Sequence, residues 1–190
     1  MSVRDGLLAI LTVGPAYGFQ LHGELRARTA GRRSVNVGQI YGTLDRLVRQ
    51  GAVESAGATS DGLPLYRLTD SGRAEAWAWI HATDCTPGEE WNDLVSRVLL
   101  ACSLPGVDPV AVIAAHRAAW ARSPMQTMDG PGAERLAVHA DALLSRAALA
   151  WLDEVEGELR RNGSAAFRRE FSQERPRRGR RPAASYVASA

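Results

Sequence analysis

The chain has 190 residues, 45% of them hydrophobic, and a formal net charge of +2; such a length encloses one good core or two small ones. With two cysteines, no signal-peptide pattern and no apolar run long enough to span a bilayer, the composition argues against a disulfide scaffold or a membrane bundle and predicts a soluble, cytoplasmic protein whose Cys85 and Cys102 stay reduced. All 23 basic residues are arginine, which reflects GC-rich coding as readily as a binding requirement. Their distribution says more. Residues 1–83 carry 9 arginines against 7 acids, residues 84–163 carry 7 against 12, and residues 164–190 carry 7 against 2. Basic ends around an acidic middle suit a protein whose ends meet phosphate, solvated surface charge being the alternative.

In chain order, the apolar run Val3 to Leu11 predicts a short first helix, ended by Gly14-Pro15 because proline lacks an amide donor and restricts the residue before it. Tyr17 to Arg28 places Leu21 and Leu25 four apart among Gln20, Glu24 and Arg28, an amphipathic second helix closing near Gly31. The stretch Ser34 to Gly51 is the most informative. At about 100° per residue, Val37, Ile40, Leu44, Leu47 and Val48 fall on one side of a helix and Gln39, Thr43, Arg46 and Gln50 on the other. One side packs, and the other carries side chains that bond base edges or phosphates, with Gly42 allowing close approach to a groove. Ala52 to Ala56 and Leu65 to Thr69 read as two strands joined through the Asp61-Gly62 turn, a wing. Thr69 caps a helix running to His81, with Asp70 at its positive end.

The order three helices, wing, helix, together with Gly14-Pro15-Ala16-Tyr17-Gly18-Phe19-Gln20-Leu21, Ile40-Tyr41-Gly42-Thr43-Leu44-Asp45-Arg46-Leu47 and Tyr66-Arg67-Leu68-Thr69-Asp70-Ser71-Gly72-Arg73, resembles the winged helix-turn-helix domain of the PadR family of bacterial transcription regulators. The chain departs from the family pattern at Gly42, usually proline, and at Gly38-Gln39, usually glycine-threonine.

Beyond the wing, Glu90 to Ser103 carries Trp91, Leu94, Val98 and Leu99 on one helix ended by Leu104-Pro105-Gly106. Asp108-Pro109 restarts a helix to Arg122, and Ser123-Pro124 with Asp129-Gly130-Pro131-Gly132 breaks it. From Ala133 to Arg161 apolar residues recur at three- and four-residue steps, from Leu136 through Leu143 and Trp151 to Leu159, on a helix roughly 40 Å long. Such a helix outreaches a small subdomain, so its stripe calls for a second chain. With Ala150-Trp151-Leu152-Asp153, this region resembles the longer C-terminal dimerisation domain of one branch of the family. Ala165 to Phe171 is compatible with further helix, and Glu174 to Ala190, rich in arginine, proline and small residues, is expected to be disordered.

The expected fold is therefore mainly α: a winged helix-turn-helix domain with a two-stranded wing over residues 1–83, an α-helical dimerisation and effector domain over 84–163, and a basic tail over 164–190. The DNA-contacting candidates are Tyr17, Ser34, Asn36, Gln39, Tyr41, Gly42, Thr43, Arg46 and Arg67. For Gln39, Thr43 and Arg46 the alternative is an ordinary wet helix face; for Tyr17 and Tyr41, packing of the rings between helices. Trp91, Trp120 and Trp151 either wall a pocket for an aromatic effector or form core. His81 and Cys85, four apart, lack a third metal ligand. No phosphate-cradling loop, nucleophile elbow or paired-histidine motif offers an enzymatic site, and no cofactor is expected. The function implied by the resemblance is a homodimeric repressor on an inverted-repeat DNA operator, released by a small hydrophobic or aromatic effector. The alternative is a winged-helix module that binds a protein partner, or DNA nonspecifically, without effector control.

Overall fold

The computed structural model describes residues 2–33, 35–83, 90–121 and 132–172. Helix α1 (Val3–Leu11) opens on a capping box: Ser2 Oγ accepts the Asp5 amide and the Asp5 carboxylate accepts the Ser2 amide. After Gly14-Pro15 come strand β1 (Ala16–Tyr17), helix α2 (Gly18–Arg28) and helix α3 (Val37–Arg49), whose N-cap Asn36 accepts the Gln39 amide at 2.8 Å. Strands β2 (Val53–Ala58) and β3 (Pro64–Leu68) form the wing, antiparallel with Glu54 opposite Arg67 and an irregularity between Ser55 and Ala58. The Ala16–Tyr17 strand corrects the expectation that Tyr17 opens the second helix. It pairs with β3, Ala16 opposite Tyr66, so the sheet has three strands in the order β1-β3-β2, one more than the two-stranded wing.

Leu7, Ile10 and Leu11 of α1, Leu21 and Leu25 of α2, and Ile40, Leu44 and Leu47 of α3 form the main core under Val53 and Leu68 of the wing. Helix α4 (Asp70–His81) is tied to the end of α3. The Thr69 hydroxyl accepts the Gly72 amide at 3.1 Å and donates to the Gly51 carbonyl at 2.6 Å, while Gly72 packs so closely that a Cβ there would meet the Ala52 carbonyl oxygen at 1.8 Å.

Helix α5 (Glu90–Ser103) faces both halves of the molecule. Leu100 joins the winged-helix core, Ala101 and Leu104 pack with Ala9 and Ile80, and Leu94, Val98 and Cys102 pack with Ile113 and Trp120 of α6 (Pro109–Ala121) and with Ala148, Leu152 and Leu159 of α7 (Gly132–Asn162). Helix α7 is buried only from Ala148 onward; ahead of it Leu136 is 73% and Leu143 50% exposed. In place of further helix over 165–171, a single 3-10 turn spans Ser164–Phe167, and residues 168–172 return irregularly to α2. Residues 173–190, two thirds of the expected tail, lie outside the described residues, as do Ser34 and Cys85. Among the described residues no helix is long and apolar enough to cross a membrane.

Candidate nucleic-acid interface

Helix α3 separates its faces sharply. Ile40, Leu44 and Leu47 are fully buried, while Gln39, Gly42 and Arg46, spaced by three and four residues, are exposed on one line along its surface. A Cβ added at Gly42 would meet nothing within 4 Å, so the helix surface there is open. Thr43 is the correction. It is 3% exposed, its hydroxyl donates to the Gln39 carbonyl at 2.8 Å and accepts from the Arg46 guanidinium at 3.2 Å. Thr43 lies only about 60° round the helix from Ile40, and the backbone bond satisfies its hydroxyl, so burying it costs little. Its role is to hold Arg46 against the helix. At the opposite border Val48, expected in the packed stripe, is 43% exposed.

The flanking candidates fall into three groups. Asn36 is exposed but spends its carboxamide oxygen on the cap of α3, leaving its NH2 group as donor. Tyr17 is 8% exposed and Tyr41 half-buried; the Tyr41 ring lies where a Cβ on Gly18 would come within 2.6 Å, so it locks α3 against the first turn of α2. Arg67 points from the exposed wing and pairs with Glu54 across the strands at 2.7 Å, a contact weak enough at that exposure for a phosphate to compete with it. Gln50 turns back to Arg4 on α1 at 3.4 Å. Beside them burial, and next the Asp45 carboxylate, push the Tyr66 phenol above its ordinary pKa.

Two of the three effector candidates touch, and the third lies in the same cluster. Trp91 and Trp151 pack edge to face with centroids 5.6 Å apart, and Trp120, 9% exposed, belongs to the same apolar cluster of α5, α6 and α7. Cys102 in that cluster is a protonated thiol, its pKa pushed up to about 11 by burial. His81 stacks on Trp77 and bonds the Trp77 carbonyl at 2.9 Å, and no metal-binding group occurs among the described residues.

Two features escaped the sequence reading. A polar cleft of about 200 Å³, lined by Arg32, Arg33, Asn92 and Ser96, lies where the α2–α3 turn meets α5. Arg32 donates there to Asn92 at 3.0 Å, and Arg33 reaches Asp93 at 3.4 Å. The second is an ion pair between Glu24 and Arg28 at 2.9 Å, with both side chains almost wholly buried. Adjacent unlike charges four apart ordinarily mean a solvated helix face, and nothing local in the sequence marks these as buried.

Among solved structures, the chain is similar to Bacillus subtilis PadR in complex with operator DNA, at 18% identity over 82% of this chain and 98% of that one, with a TM-score of 0.41. It is also similar to Bacillus subtilis PadR in complex with p-coumaric acid, at 17% identity over 83% and 98% of the two chains, with a TM-score of 0.39. A search of curated proteins gave no match. Residues 7–78, which run from α1 through the wing into α4, match the model of the transcriptional regulator PadR-like family.

Proposed function

We propose that the protein is a homodimeric, sequence-specific DNA-binding repressor whose operator affinity falls when a small hydrophobic or aromatic effector binds. The observation that carries this reading is the outward line of Gln39, Gly42 and Arg46 on α3, next to the wing and opposite a fully buried face. A helix packed on one side and lined by an amide, a gap and a guanidinium on the other matches what a major groove accepts. Residues 1–83 act as the reader and 84–163 as the dimer and effector unit, and 164–190 form a basic end; the molecule works in the cytoplasm. A second copy covers the exposed stripe of α7 at Leu136 and Leu143. The effector sits among Trp91, Trp120 and Trp151, at the joint between α5, which reaches the reader's core, and α7, which carries the dimer stripe.

The test is selection from a randomised duplex pool by the purified full chain, followed by gel shifts of the recovered duplex with wild type, Gln39→Ala and Arg46→Ala. An inverted repeat bound by wild type and bound more weakly by both variants supports the reading. No enrichment of any sequence would overturn it.

A further inference from the structure

After α7 the chain turns at Gly163, where φ is 75°, a left-handed conformation that favours glycine. It then crosses from one half of the molecule to the other. Phe167 packs on the cluster of α5, α6 and α7, and Phe171, four residues on, packs on the core of α1, α2 and α3. The backbone around Phe171 is held by the buried Glu24–Arg28 pair. Arg28 donates to the Ser103 carbonyl at 2.7 Å and to the Arg169 carbonyl at 2.7 Å, its guanidinium lies 6.0 Å from the Phe171 ring centroid, and Glu24 accepts the Ser172 amide at 2.9 Å. The Arg169 amide completes the joint by donating to the Ser103 carbonyl at 3.0 Å. Burial pulls the Arg28 pKa down and Glu24 only partly restores it. A desolvated ion pair is tolerable only when its remaining donors and acceptors are filled, and here the returning backbone fills them.

Apart from this segment, the reading head meets the helical region along α5 and, through Val107 and Val112 against Ala9 and Ile80, at the start of α6. The segment adds an attachment that runs from the end of α7 to Glu24 and Arg28 on α2, beside Ser103 at the end of α5, and so restrains rotation of the head about α5. We propose that residues 168–172 are a strap that fixes the orientation of the reading head relative to α7, with Glu24, Arg28 and Phe171 as positioning residues that set the half-site spacing the dimer accepts. This rests on the dimeric DNA-reading function proposed above. One added base pair displaces a half-site by about 3.4 Å and turns it by roughly 35°, a change that a rigid dimer cannot follow and a hinged one can.

The experiment uses the full chain and the inverted-repeat duplex it selects from a randomised pool, remade with the half-sites one base pair closer, one farther and two farther. Glu24→Gln/Arg28→Met is made as a double change so that no lone charge stays buried, and Phe171→Ala and Phe171→Leu complete the set. Trypsin reads the strap, because Arg169 is protected only while its amide and carbonyl are both bonded. Wild type and Phe171→Leu should lose about ten-fold or more in affinity for a one-base-pair change, whereas Phe171→Ala and the double variant should lose less than about three-fold and be cut early after Arg168 and Arg169. Equally sharp spacing in variants whose strap is cut would overturn the inference and leave the DNA-reading function standing, as would unchanged protection of Arg169 in both. Recovery of no inverted repeat by wild type would overturn that function and the inference with it.

Discussion

His116 provides a quantitative test of the C-terminal packing. It sits on α6 at 1% exposure with both ring nitrogens lacking hydrogen-bond partners. Burial, with a smaller contribution from the Arg97 charge, lowers its pKa from 6.5 to about 4. The folded protein therefore holds the ring neutral, while the unfolded chain takes up a proton as pH falls through 6.5. Between pH 6.5 and 4 the unfolded state binds more protons, so stability rises with pH across that window and is lost on acidification. Each pKa unit corresponds to about 1.4 kcal/mol, which makes the full contribution on the order of 3 kcal/mol at pH 7. His116→Leu deletes the titration and two unsatisfied nitrogens while keeping an apolar side chain in the site. Urea unfolding of both proteins at intervals from pH 7 to 4 separates this effect from the carboxylates, which titrate alike in each. Wild type should lose about 3 kcal/mol more than His116→Leu over that range. Parallel stability curves would refute the assignment of a buried neutral imidazole.

The reading face gives a contrast within one helix. Gln39→Ala and Arg46→Ala should each weaken operator binding by about 1–3 kcal/mol with little change in melting temperature. Thr43→Ala should act through the fold and through the loosened Arg46, lowering stability by about 1 kcal/mol in thermal unfolding. Leu136→Asp/Leu143→Asp places two charges on the exposed stripe of α7 and should yield folded monomers by sedimentation, a normal dimer being the contrary result. Gly72→Ala forces its new methyl against the Ala52 carbonyl, so it should cost several kcal/mol in denaturant unfolding or abolish soluble expression.

The parts legible in the sequence are those with a period or a punctuation mark. Val3–Leu11 and Glu90–Ser103 are helices where the apolar rhythm and the Gly-Pro and Pro-Gly breaks predict them, and Thr69 caps α4 as its position requires. Strand Ala16–Tyr17 was not legible, because two residues have no period and exist only by pairing with β3. The burial of Thr43 is not legible either, because a helical wheel fixes spacing but not the width of the buried arc, which neighbouring α1, α2 and the wing decide. The burial of Glu24 and Arg28 was not legible, because their other partners, Ser103, Arg169 and Ser172, lie 75 to 148 residues along the chain. For the same reason the Arg32–Arg33 cleft against α5 had no local signature.

The most direct test of the central claim is a hydroxyl-radical footprint of the full chain on the duplex it selects. Two copies of α3 reading one operator predict two related protected patches, centred one or two helical turns apart, roughly 10 or 20 base pairs, both weakened by Arg46→Ala. A single asymmetric patch, or protection indifferent to Arg46, would contradict it.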